Sequence, residues 1–151
     1  MSLTAMWTHG NSIVVETPAS FSSILRAGFG TDMMITAGQQ AWTHAAIPTP
    51  AILRGKRPKL LRVIILFKTS SARLKEIHLF DSNNRIHEKQ TSQGGSLLVQ
   101  GDFNTFALPS PREISFALGI SMRWTHEIAG ASAQPQQVFI AAVGADFEIA
   151  D

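Results

Sequence analysis

The stretch Ile114-Ser115-Phe116-Ala117-Leu118-Gly119-Ile120-Ser121-Met122-Arg123-Trp124-Thr125 places a large apolar side chain at every second position. Successive side chains of a β-strand point to opposite faces. This alternation therefore predicts one long strand from Ile114 to Trp124 with a single buried face, central in its sheet. The segment from Leu60 to Thr69 is richer still in β-branched and apolar residues. Leu61, Val63, Ile65 and Phe67 would share one face, and Arg62, Ile64, Leu66 and Lys68 the other. A strand apolar on both faces is covered on both, at least at its middle.

Outward from these two segments the pattern continues. Leu74 to Phe80 and Arg85 to Glu88 flank Asp81-Ser82-Asn83-Asn84, which reads as a hairpin because Asn tolerates the positive φ of a tight turn. Further strands are expected near Met6–Glu16, Ser23–Phe29, Met33–Thr36, Gln40–Ala46, Leu97–Phe106 and Val138–Ile149. Turn chemistry separates them at Thr17-Pro18, Pro48-Thr49-Pro50, Gly94-Gly95, Pro109-Ser110-Pro111 and Gln134-Pro135. No window carries apolar residues at helical spacing. The fold class is therefore all-β, an antiparallel two-sheet β-sandwich with a jelly roll among its topologies, built as one domain over residues 1–151.

Composition agrees with a folded chain and narrows its chemistry. Of 151 residues, 44 % are hydrophobic and 16 % charged, too apolar and too weakly charged for disorder. The absence of cysteine removes disulfides, thiolate metal sites and a thiol nucleophile. A net charge of +2 conceals an uneven distribution. Residues 54–89 hold ten of the thirteen basic residues and three of the eleven acids, a local balance of +7 against −5 elsewhere. Arg54, Lys56, Arg57, Lys59 and Arg62 form the densest basic patch, a candidate anion contact. Nucleic acid is disfavoured, because no aromatic interleaves these cations to stack on bases. No Lys or Arg precedes Arg26 and no apolar run reaches signal or membrane-span length, so the expectation is a cytoplasmic protein with no membrane partner.

All three tryptophans fall in one tripeptide: Trp7-Thr8-His9, Trp42-Thr43-His44 and Trp124-Thr125-His126. On a strand, Trp and His of each copy share a face and Thr takes the other. The plainest reading has Trp filling the core and His finishing the same face at the rim. A second has Trp and His lining a surface for a sugar or another polar ring. In a third, His9, His44 and His126 converge as zinc-type ligands of a metal-dependent enzyme. The separations of 35 and 82 residues show no convergence and define no repeat.

Catalytic motifs are fragmentary in this chain. Gly119-Ile120-Ser121-Met122-Arg123 lacks the closing glycine of a nucleophile elbow, and its serine falls inside a regular strand. His87-Glu88 and His126-Glu127 begin a zinc-protease pattern without its second histidine. Gly28-Phe29-Gly30 precedes no helix and reads as a bulge or strand end. Glu76, Asp81, Glu88, Asp102, Glu113 and Asp146 are scattered along the chain, and surface positions suffice for them.

The segments Trp7-Thr8-His9-Gly10-Asn11-Ser12, Ala46-Ile47-Pro48-Thr49-Pro50, Gly119-Ile120-Ser121 and Gly144-Ala145-Asp146-Phe147 together resemble a family of small, mostly bacterial β-sandwich proteins catalogued as a domain of unknown function. The resemblance spans nearly the whole chain and implies a fold without an assigned activity, so no catalytic residue carries over. The residues thus favour a binding or structural module without a cofactor over an enzyme, with a carbohydrate or an anion as candidate ligand. Self-association is also expected. Ile64 and Leu66, flanked by Arg62 and Lys68, would give a second copy an apolar centre with a charged rim, unless another segment of the same chain roofs them over.

Overall fold

Twelve strands, joined by short loops and three single-turn 3-10 helices, form the chain in this computed structural model, which describes residues 1–128 and 133–151. They are β1 (Ser2–His9), β2 (Val14–Val15), β3 (Phe21–Ala27), β4 (Gly30–Ile35), β5 (Gln40–Ile47), β6 (Lys59–Thr69), β7 (Arg73–Asp81), β8 (Asn84–Gln93), β9 (Ser96–Leu97), β10 (Thr105–Glu113), β11 (Leu118–Thr125) and β12 (Gln136–Ile149). Every pairing is antiparallel. Among the described residues no helix is long and apolar enough to cross a membrane.

Two sheets stack as a β-sandwich. The five-stranded sheet has the order β2-β5-β11-β7-β8, which puts β11 at its centre as the alternation predicts. The seven-stranded sheet follows β10-β6-β12-β4-β3, and its two longest strands each serve two partners along one edge. The first part of β12 pairs with β4 and the remainder with β1, while β6 pairs with β10 and then β9.

The core lies between the sheets. From the five-stranded sheet Ala41, Ala45, Ile47, Leu74, Ile77, Leu79, Leu118, Ile120, Met122 and Trp124 face inward, against Met33, Ile35, Leu60, Val63, Ile65, Phe67, Val143 and Phe147. Phe67 and Trp124 meet edge to face across this gap, with centroids 5.1 Å apart.

The strands depart from the sequence pattern at several places. The alternation beginning at Ile114 does not mark one strand: β10 ends at Glu113, β11 starts at Leu118, and Phe116 is 75 % exposed. The backbone N–H groups of Ser115, Phe116 and Ala117 donate to the Asp81 carboxylate at 2.8, 3.1 and 3.3 Å, which closes the 115–117 turn. Pro109-Ser110-Pro111 is no turn between strands. It lies inside β10 at a register shift on the sheet edge, where a missing N–H costs no ladder bond. In the β7–β8 hairpin the positive φ falls on Ser82, not on an asparagine.

A register shift in β6 also turns Leu60, not Leu61, into the core beside Val63, Ile65 and Phe67. Ile64 points the other way and is nevertheless fully buried within the chain, while Leu66 is half-buried. In the cross-sheet row Trp7–Gly144–Ile64–Thr105, the Trp7 indole lies over Gly144, next to Ile64. The 102–104 turn packs on the same strand. The apolar centre expected to receive a second copy is therefore roofed over by the chain itself.

Candidate functional site

The outer face of the five-stranded sheet is where polar and aromatic side chains collect. Its cross-strand rows follow from the register. One row runs His44–Ser121–His78–Glu88 across β5, β11, β7 and β8; the next runs Trp42–Arg123–Glu76–Gln90. A third places Ala46, Gly119 and Phe80 side by side. On β5, β7 and β11 these residues alternate with buried ones, so burial of Thr43, Ile77, Leu79, Ile120 and Met122 aims them outward.

Glu16, Trp42, His44, His78, Phe80 and Ser121 line an open depression of about 290 Å³ on this face. Trp42 and His78 reach towards each other over β11, with ring centroids 4.6 Å apart and planes inclined at 44°. Phe80 continues the aromatic track, 6.2 Å from His78. Small residues on β11, Gly119 and Ser121, leave the floor low between the flanking rings.

Hydrogen bonds fix the polar groups. His44 Nδ1 is 2.7 Å from Ser121 Oγ and its Nε2 is 3.0 Å from Glu16 Oε1. Glu76 accepts from His78 Nε2 at 2.7 Å and from Arg123 Nε at 3.0 Å, and Arg123 donates onward to Gln40 at 3.2 Å. The bond from His78 holds the Glu76 carboxyl below its usual range; burial opposes the shift, and Arg123 adds to it.

The Glu16–His44–Ser121 chain has the composition of a hydrolase triad but not the surroundings. Ser121 sits in a strand bonded on both sides, so its neighbouring peptide N–H groups are committed to the ladder. Acyl transfer needs such groups free to hold an oxyanion. The arrangement presents fixed donors and acceptors beside a flat aromatic surface.

The structure separates the three Trp-Thr-His copies. Trp42 and His44 lie in the depression. Trp124 is fully buried in the core and His126, also buried, is tied by Nε2 to Gln134 O at 2.8 Å. Trp7 and His9 lie on the outer face of the other sheet, where His9 Nδ1 accepts from the Asn11 N–H at 3.0 Å. His9, His44 and His126 are thus not brought together as a metal triad. Among the described residues the group of potential metal ligands that converges is Glu76, His78 and Glu88.

Three cations of the basic patch have partners within the chain. Arg62 Nε bonds Asp146 Oδ2 at 2.5 Å, and Arg57 lies 3.6 Å from Glu113 and donates to Ser115 O at 2.8 Å. Lys56 donates to the carbonyls of Ala150 and Asp151, Lys59 stands opposite Glu148 and Glu113 in register, and Arg54 occupies a tight turn at φ 51°. Lys56, Arg57 and Arg62 thus tie the chain's end and sheet edge together.

His78, Phe80, Ser121 and Glu16 were not legible as site residues. The available signal was Glu76-Ile77-His78-Leu79-Phe80, in which an aromatic and a histidine occupy the polar phase of an alternating strand. On such a strand the aromatic and the histidine share the outward face.

The chain belongs to the family of unknown function DUF6623, whose family model matches residues 1–151. No curated protein matches it. Among solved structures it is similar to TmCBM61, determined in complex with β-1,4-galactotriose, at 9 % identity and a TM-score of 0.49 over 91 % of this chain and 86 % of that one. It is also similar to CtCBM11, known from a solution structure with dynamics and binding studies, at 10 % identity and a TM-score of 0.35 over 99 % and 91 %. Likenesses this distant leave any ligand to be argued from the face itself.

Proposed function

We propose that this DUF6623 chain is a non-catalytic binding module that takes a carbohydrate on the outer face of its five-stranded sheet. The observation that carries the reading is the pairing of partly buried Trp42 with His78 inside a depression rimmed by His44, Ser121 and Glu16. A sugar ring has an apolar C–H face and a polar edge of hydroxyls. An indole supplies the matching flat apolar surface, while imidazole, hydroxyl and carboxylate groups supply donors and acceptors in the plane around it. Because those polar groups are already held by one another, little side-chain entropy is lost on binding.

Size limits the ligand. At about 290 Å³ the depression is at the low end of ligand pockets, roughly 300–1,000 Å³. It is also open, so one or two sugar units fit and millimolar to high-micromolar affinity is expected, on the order of 4–6 kcal/mol. A glycan array followed by titration of the hits tests the reading. Trp42→Ala should lower affinity at least tenfold while leaving the circular dichroism spectrum unchanged. An array without hits, or hits whose affinity survives Trp42→Ala, would overturn it.

A further inference from the structure

At the β7–β8 side of this face, His78 of the depression stands beside two carboxylates, Glu76 and Glu88, that sugar stacking does not require. Glu76 and His78 occupy successive outward positions of β7, and β8 sets Glu88 directly opposite His78. His78 Nε2 is 2.7 Å from Glu76 Oε1 and 3.7 Å from Glu88 Oε2, and one ligand atom from each of the three lies within 4.8 Å of the others. Zinc-type ions bind nitrogen and oxygen at about 2.0–2.2 Å in tetrahedral sites, which sets ligand atoms roughly 3.3–3.6 Å apart. Side-chain shifts of about an ångström would therefore seat an ion among the three.

The surroundings suit such an ion. Arg123 holds Glu76 by its other oxygen, Oε2, at 3.0 Å, leaving Oε1 aimed at His78, and is itself tied to Gln40. A ligating carboxylate anchored in this way is a common outer-shell arrangement. Trp42 packs against the His78 ring and limits its rotation. Glu88 is more than half exposed, and its rival partner Arg85, 3.5 Å away, is an equally exposed surface cation that offers little competition. Two carboxylates and an imidazole leave a fourth position for water or another ligand.

We propose that Glu76, His78 and Glu88 form a binding site for a zinc-type divalent cation. The donor set selects the ion. One nitrogen and two carboxylates suit Zn²⁺ or Mn²⁺, whereas Ca²⁺ takes six to eight oxygens and Cu⁺ prefers sulfur. The site needs no sugar to fill it, so its failure would leave the carbohydrate reading standing, and the converse also holds.

Calorimetric titration of the chelator-treated full chain with Zn²⁺ alone tests the proposal. One saturable site is expected, with Ca²⁺ giving no heat. Glu88→Gln, an exposed change that should not disturb folding, should weaken Zn²⁺ at least tenfold; His78→Gln should abolish binding, and His9→Gln should leave it unchanged. Ni²⁺, a short-range quencher of indole emission, should dim Trp42, and Trp42→Phe should remove that response. No saturable Zn²⁺ binding, or binding equally strong in Glu88→Gln and His78→Gln, would overturn the proposal.

Discussion

Trp124 donates its indole N–H to Thr43 Oγ1 at 2.8 Å, so the core tryptophan of one Trp-Thr-His tripeptide is bonded to the buried threonine of another. The partners lie on adjacent strands β11 and β5, and Thr43 is flanked by Trp42 and His44 of the outer face. The bond links the packing of the sandwich to the strand that presents the depression. Thr43→Val keeps the shape and removes the acceptor, leaving a buried N–H without a partner. The expected cost is about 1–3 kcal/mol in denaturant unfolding. An unchanged midpoint would mean that the bond contributes nothing net.

On the opposite face of the sandwich, Trp7 lies over Gly144 so closely that a Cβ there would fall 2.5 Å from its Cδ2. Gly144→Ala must displace the indole, which also exposes Ile64. A loss of about 1–3 kcal/mol is expected, with a shift of tryptophan emission. Adding Trp7→Ala should relieve the strain, so the two changes should cost less together than their sum. Strict additivity in that double-mutant cycle would contradict the packing described.

Asp81 supplies a pH dependence with a definite sign. Burial raises its pKa, but the N–H donors of Ser115, Phe116 and Ala117 outweigh burial and hold the carboxyl below its usual range. A folded-state pKa lowered in this way adds stability above the unfolded value of about 3.9, and that contribution disappears as pH falls through the folded-state pKa. The stability gap between the native chain and Asp81→Asn should therefore be widest at neutral pH and close below about pH 4. Unfolding curves at a series of pH values measure it, and a gap that widens towards acid would refute the assignment.

Ile64→Asp separates burial within the chain from an exposed contact surface. Because Ile64 has no exposed surface, the substitution places an unpaired charge inside and should cost about 3 kcal/mol or more. A variant as stable as the native chain would show that Ile64 faces solvent or a partner.

The two-sheet architecture was readable because each long strand carries its own period: Leu118, Ile120, Met122 and Trp124 name their face without help from any other segment. What failed depended on distant partners. Ile114 and Phe116 continue the same alternation, yet the Asp81 carboxylate, 34 and 35 residues away from Ser115 and Phe116, captures their segment as a turn. The fate of Ile64 depends on Gly144 and Trp7, both far away in the chain. The site divides likewise. Trp42 and His44 stood out by their repeated tripeptide, but which copy faced outward required the sheet assignment, and His78 joins them only through the β5–β11–β7 register.

Where a ligand sits on the chain is the most direct test of sugar binding at Trp42. Backbone and indole NMR shifts of the isotope-labelled chain, titrated with an oligosaccharide that scores on the array, locate it residue by residue. The prediction is a contiguous set of perturbations at the Trp42 indole, His44, His78, Gly119 and Ser121, with Trp7 and Trp124 unmoved. Perturbations centred on β1, on the β3–β4 hairpin or on the 54–59 segment, with Trp42 silent, would contradict it.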